Sequence, residues 1–247
     1  MRKARFIDPA GTTRTGEWTD GEIVTDTGTY DPDEVRLLAP SDPSKIICVG
    51  LNYHDHVEEG SYDEIPEIPM LFLKPPNTVS AHGDTVTLPE GKYCEHEAEF
   101  AVVIGEQCRA VSADDVMDVV AGFTCSNDVS NRDDQYMEME RNWNFVRGKA
   151  FDNAAPMGPV LATPDEVPED AAIELRVNGE TRQSSSRDDM IFSVPEVVEE
   201  VTKYITLEPG DVIMTGTPAG VDEIADGDTV EIEIEGIGTL RHGVETP

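Results

Sequence analysis

Glu95, Glu97 and Glu99 alternate in the segment YCEHEAEFAVVIG, residues 93–105, and run directly into an uninterrupted apolar stretch. In a strand, residues i and i+2 share a face, so Glu97 and Glu99 project together, with Glu95 above them. Facing carboxylates repel, and burying them unpaired is costly. A hard divalent cation removes that penalty, and carboxylate oxygens suit Mg2+, Mn2+ or Ca2+. The competing reading is a solvated acidic face. In DTVEIEIEG, Val230, Ile232 and Ile234 alternate with Glu231, Glu233 and Glu235, the pattern of a strand wet on one side. The continuous FAVVIG reads instead as a strand buried on both faces. Spacing alone leaves open which of the three glutamates would hold a cation.

A further oxygen ligand must come from elsewhere, and Asp128 in GFTCSNDVSNRDDQ is the best candidate. In GLNYHDHVEEG, residues 50–60, His56 and Glu59 stand three apart, neighbours on a helical turn. A carboxylate beside an imidazole fixes its tautomer and raises its basicity, as in a general base that activates water. His54 and Glu58 offer the same pairing at i,i+4, and a solvated polar turn is the plain alternative. Of only six lysines, Lys74 ends the apolar run in MLFLKPPN and Lys149 lies within FVRGKAFDNAAPMGP. Either suits an anionic substrate or a developing oxyanion, and equally a salt bridge to the abundant acids. After VIM, the small residues Thr215 to Gly220 leave backbone N–H groups open to a carboxylate. No phosphate-binding or dinucleotide fingerprint is present.

These residues need elements to hold them. IICVGLNY reads as a buried strand delivering residues to a site. SADDVMDVVAG reads as a helix, with Ser112 as its N-cap and Gly122 just past its end. SVPEVVEEVTKYI reads as a second helix, with a Ser193–Glu196 capping box and a stripe of Val194, Val197, Val198, Val201 and Ile205. FAVVIG, IELRVNG, DVIMTGTP and DTVEIEIEG read as strands. Strands outnumber helices and do not alternate with them regularly, which predicts a β-rich α+β fold. Residues 1–42 read as a small N-terminal subdomain or sheet extension, joined through APSDPSK to a main domain over 43–247.

Charge sets the solution behaviour. Eighteen Lys and Arg face 51 Asp and Glu, a formal net charge of −33 across 247 residues. The acids are spread along a chain that is 38% hydrophobic, which argues for a folded protein with an acidic surface rather than disorder. Such a surface fits work at high salt, where screening suppresses self-repulsion, and argues against nucleic-acid and membrane partners. No apolar run reaches the length of a membrane span, and a cytoplasmic location is expected. The four cysteines lack metal spacing and are expected to be buried thiols.

GLNYHDHVEE, LFLKPPNT, EAEFAVVIG, GFTCSNDVSNRDDQ, GKAFDNAAPMGP, DMIFSVPEVV and LEPGDVIMTGTPAGV, in this order, resemble the fumarylacetoacetate hydrolase family. The match is to its short-chain branch of acylpyruvate hydrolases, oxaloacetate decarboxylases and dioate isomerases, over roughly residues 45–242. The resemblance implies a mixed β-roll or sandwich with a few flanking helices, usually a homodimer. It implies that Glu97, Glu99 and Asp128 bind Mg2+ or Mn2+, that His56 and Glu59 form a dyad on a lid, and that Lys149 is the active-site lysine. Lys74, Arg132, Gln135 and Thr217 match positions lining a pocket for a small 2-oxo acid. Glu95 falls outside the motif and is expected to be a supporting or surface acid. One departure is the acidic run RDDQYMEMERN from Arg132, where more basic or apolar residues are usual. With a metal stabilising an enolate, the expected reaction is hydrolysis of a C–C bond in an acylpyruvate-like substrate. Isomerisation or decarboxylation through the same enolate is the alternative, and a non-catalytic metal-binding protein a third.

Overall fold

The computed structural model describes residues 1–60 and 65–247. Its large mixed sheet is centred on the strand Ala98–Ile104, all seven residues of which are buried. That strand pairs antiparallel with Val120–Asn127 on one side and with Val212–Met214 on the other. Beyond Val212–Met214 the sheet continues through Ile46–Gly50, in parallel, to the edge strand Met70–Lys74. Beyond Val120–Asn127 it continues through Ala155–Ala162 to Arg2–Ile7 and the N-terminal strands. A second sheet of five strands is built from Glu180–Ser186, Ala172–Val177, Thr229–Ile234, Gly238–Glu245 and Thr85–Thr87. The fold is β-rich α+β, as the strand-heavy sequence predicts.

The two faces of the central strand meet different surroundings. Phe100, Val102 and Ile104 join the core shared with Ile173, Leu175, Ile232 and Leu240 of the five-stranded sheet. Ala101 and Val103 join a smaller cluster with Ile46, Cys48 and Met214. Glu97 and Glu99 share the parity of Ala101 and Val103, so they project away from the five-stranded sheet. Burying each large apolar side chain here contributes about 1.5–3 kcal/mol, which anchors the strand that carries the glutamates.

At the N-terminal end of the sheet, Arg2 and Lys3 of the strand Arg2–Ile7 pair with Ala162 and Leu161. The helix Val194–Tyr204 forms as expected, with Glu196 accepting from the Ser193 N–H at 2.8 Å and four valines buried. The other expected helix is corrected. Ala113–Asp115 makes one 3-10 turn, Val116–Val119 one α turn, and Val120 already begins a strand. Gly122 is therefore no helix stop. It lies inside that strand, where a Cβ would collide with the Ala162 carbonyl oxygen. All four cysteines are free and buried. No helix among the described residues is long and apolar enough to cross a membrane.

Candidate active site

Strand pairing assembles the acidic cluster. Ala98 lies opposite Asn127, and the Asp128 N–H donates to the Glu97 carbonyl at 2.9 Å, so the end of one strand delivers Asp128 beside the start of its neighbour. Carboxylate oxygens of Glu97, Glu99 and Asp128 all lie within 4.8 Å of one another, and all three residues are buried. Two side-chain amides hold the backbone beneath them. Asn127 Oδ1 accepts from the Glu97 N–H at 2.8 Å, and Gln183 Oε1 accepts from the Ala98 N–H at 2.9 Å. His242 Nε2 lies 2.8 Å from Asn127 Nδ2 and steadies that amide.

Three cations face these acids. Lys149 Nζ lies 2.9 Å from Glu97, 2.8 Å from Asp128 and 2.5 Å from the Ser130 hydroxyl. Lys74 Nζ lies 2.5 Å from Asp128 Oδ1 and 3.2 Å from the Val129 carbonyl. Arg132 bridges Glu95 through Nε and Glu97 through Nη2, and donates from Nη1 to Gln135 at 2.7 Å. Burial works against ionising Glu97, but Arg132 and Lys149 overcome it and hold its carboxyl well below the usual range. Burial likewise opposes the charge on Lys149, and Asp128 and Glu97 hold its ammonium above the usual range. Glu99 differs: burial, then Asp128 and Glu97, push it well up.

Glu99 receives only the Gly216 N–H, at 2.6 Å, and no cationic side chain reaches it among the described residues. Four buried acids, Glu95 included, thus share three cations, and the uncompensated one points into the triad. A divalent ion would take up the uncompensated charge and leave one positive charge for an anionic substrate, and an all-carboxylate donor set matches Mg2+ or Mn2+.

His56 lies on the short helix His54–Glu59, which follows the strand Ile46–Gly50. Its Nδ1 stands 3.7 Å from Glu59 Oε2, beyond hydrogen-bond length. That oxygen accepts instead from the Gly220 N–H at 2.9 Å. His54 and Glu58, the alternative pair, are both exposed. A cavity of about 90 Å3 opens on Glu97 and Glu99 of the triad. Its polar wall is His56, Glu97, Glu99, Arg132, Gln135, Lys149 and Thr217, and Val49, Met70, Phe72, Met139 and Phe145 form its apolar wall. An outer cavity of about 470 Å3 shares His56, Arg132, Gln135 and Met139, and adds Glu59, Glu95 and Tyr136. Lys74 lines neither; it sits behind Asp128.

Residues 45–245 match the family described as fumarylacetoacetate (FAA) hydrolase, C-terminal. The chain belongs to the fumarylacetoacetate hydrolase family. Oxaloacetate tautomerase YisK of Bacillus subtilis is 46% identical over 229 residues, spanning 87% of this chain and 75% of that protein. The crystal structure of 5-carboxymethyl-2-hydroxymuconate delta-isomerase from Mycobacterium smegmatis is 37% identical, with a TM-score of 0.89 over the whole of both chains. That of fumarylpyruvate hydrolase from Pseudomonas aeruginosa, in complex with Mn2+ and pyruvate, is 33% identical. It has a TM-score of 0.78 and covers 83% of this chain and 91% of that one. This is an enzyme of a family that holds hydrolases, isomerases and tautomerases.

Within this family fold, His56, Glu97, Glu99, Arg132, Gln135, Lys149 and Thr217 line one cavity, while Glu59 lies at its outer mouth and Asp128, with Lys74 behind it, lies beneath it. Sequence reasoning left Glu95 as a supporting or surface acid; it is buried and bonds Arg132. It missed Ser130 and Gln183, whose polar side chains gave no signal in apolar periodicity. It missed also Phe72 and Phe145, which stand edge to face at 6.1 Å and whose pairing no local spacing encodes.

Proposed function

We propose that this protein is a divalent-metal-dependent enzyme acting on a small 2-oxo acid by enolate chemistry, in the first instance hydrolysing a C–C bond of an acylpyruvate-like substrate. The observation that carries this is Glu99. It is a buried, uncompensated carboxylate of the triad, and with Glu97 it lines the same cavity as Lys149, Arg132 and His56. When bound, Mg2+ or Mn2+ supplies Lewis-acid stabilisation of the enolate left as the bond breaks. Thr217, Gln135 and Arg132 orient the substrate's carboxylate and carbonyl groups. His56 takes the proton of the attacking water, and Glu59 steadies the resulting imidazolium once the lid brings the pair within bonding distance. Lys149 stabilises charge developing on the oxygen, while Lys74 fixes Asp128 from behind.

A second reading, keto–enol tautomerisation of a 2-oxo dioate such as oxaloacetate, is favoured by the 46% identity to a tautomerase and by the 3.7 Å His56–Glu59 gap. That reaction needs a proton shuttle and no activated water. Turnover of acylpyruvates, oxaloacetate and unsaturated 2-oxo dioates, assayed with Mg2+ and Mn2+ at high salt, separates the readings. His56→Ala abolishes hydrolysis, whereas tautomerisation, which activates no water, keeps measurable turnover. Full metal-dependent turnover by Asp128→Ala would overturn both. A homodimer is proposed as well. The exposed Leu73, Trp143 and Val146 beside the edge strand Met70–Lys74 offer an apolar face in a very acidic protein, and light scattering tests it.

A further inference from the structure

Gln183 belongs to the five-stranded sheet, yet it is almost fully buried between two parts of the site. Leu175 pairs with Gln183 while Arg176 pairs with Thr181, so Arg182 is an extra residue on its strand. Such a bulge bends the strand and re-aims the side chain beside it. The amide then uses its whole bonding capacity. Oε1 accepts from the Ala98 N–H at 2.9 Å and lies 3.1 Å from His96 Nδ1. Nε2 donates to Thr217 Oγ1 at 2.8 Å and to the Pro218 carbonyl at 2.7 Å. The orientation is unambiguous, because the Ala98 N–H can only donate and the Pro218 carbonyl can only accept. His96 must therefore carry its proton on Nδ1.

The loop held by Nε2 touches the rest of the site. The Gly216 N–H reaches Glu99, Thr217 lines the cavity, and the Gly220 N–H reaches Glu59. Gly220 rests directly on the bulge, with φ at +93°, where a Cβ would collide with the Arg182 carbonyl oxygen. One amide thus joins the backbone between Glu97 and Glu99 to the loop that presents Thr217 and braces Glu59.

We propose that Gln183 is a positioning residue: its oxygen holds the strand of the acidic ligands, and its nitrogen locks the 215–220 loop against that strand, which sets the substrate-binding position of Thr217. The proposal rests on the metal-dependent 2-oxo acid reading of the site. Gln183→Glu keeps an oxygen for Ala98 and removes both donors. Gln183→Met removes every bond and serves as the second variant should the buried charge impair folding.

Calorimetry with Mn2+ alone, then with oxalate added to the Mn2+-loaded protein, reads the two halves apart. In Gln183→Glu the Mn2+ dissociation constant stays within about threefold of wild type. Oxalate weakens at least about tenfold, the loss expected for buried hydrogen bonds. The KM for a turned-over 2-oxo acid rises in step, and kcat falls less. In Gln183→Met both ligands weaken, oxalate more. Oxalate binding and KM within about twofold of wild type in folded variants overturn the proposal, as does equal weakening of Mn2+ and oxalate in both. Wild-type protein that takes up neither Mn2+ nor oxalate overturns the metal reading itself, before any variant is made.

Discussion

Two stretches of this chain write glutamate at every second position, and their fates are opposite. In Thr229–Ile234, Val230, Ile232 and Ile234 are buried while Glu231 and Glu233 face outward and pair with Arg176, at 3.7 and 2.9 Å. In the stretch leading into Ala98–Ile104, Glu95, Glu97 and Glu99 are all buried. The difference lies in what covers each face. The first strand packs one face on the core and leaves the other to water. The second is central in its sheet, and both its faces are covered, by one core cluster on each side. An acid on the first is solvated; an acid on the second must find a cation.

The largest break in this comparison comes from Glu97→Ala or Glu99→Ala. Removing a proposed ligand should lower metal-dependent kcat/KM by at least about a thousandfold, since Lewis-acid stabilisation is worth several kcal/mol. Metal titration should show the matching loss of affinity.

The next effect tests the strand rather than the acids. Phe100→Ala leaves a hole between the sheets beside Phe123, whose ring centroid lies 4.7 Å from that of Phe100, and should cost about 3–5 kcal/mol in denaturant unfolding.

A third prediction concerns His242, which reaches from the five-stranded sheet to the Asn127 amide beneath Glu97. Burial pushes its imidazole down to about 4. The unfolded state therefore binds its proton more readily than the native state, and stability falls as pH falls. The contribution is fully present above the unfolded pKa of about 6.5 and is lost towards about 4, by roughly 3 kcal/mol at most. Unfolding curves across this window should lose that slope in His242→Gln.

The smallest effect belongs to the solvated strand. Glu233→Gln should change stability by no more than about 0.5 kcal/mol, because its partner Arg176 keeps Glu174 and Glu231 and the pair is partly exposed. Molar salt should stabilise the wild type by screening its net charge of −33.

Much of the scaffold was legible because it rests on local pattern. The alternation in DTVEIEIEG and the continuity of FAVVIG fixed strand type and burial, and the Ser193–Glu196 box fixed a helix start. The failure at SADDVMDVVAG has a local cause too. Val119 and Val120 suit a strand as well as a helix, and pairing with the strand Ala98–Ile104 settled it in favour of a strand from Val120. Gly122 then serves close backbone approach, a need visible only when Ala162 is in place.

The site divides in the same way. Sequence by itself determined which groups were available: a paired-carboxylate strand, an aspartate after a small-residue run, a His–Glu turn, two lysines kept in apolar settings, and an acidic surface. Motif resemblance chose among them. Tertiary structure alone decided that Lys74 stands behind Asp128 and not in the cavity, that Glu95 is buried against Arg132, and that Gln183 crosses from another sheet to hold the backbone between Glu97 and Glu99. Those outcomes depend on pairing between segments as far apart in the chain as 85 residues, for Ala98 and Gln183. Side-chain periodicity reports which way a residue faces on its own strand, and carries no record of what will be packed against it.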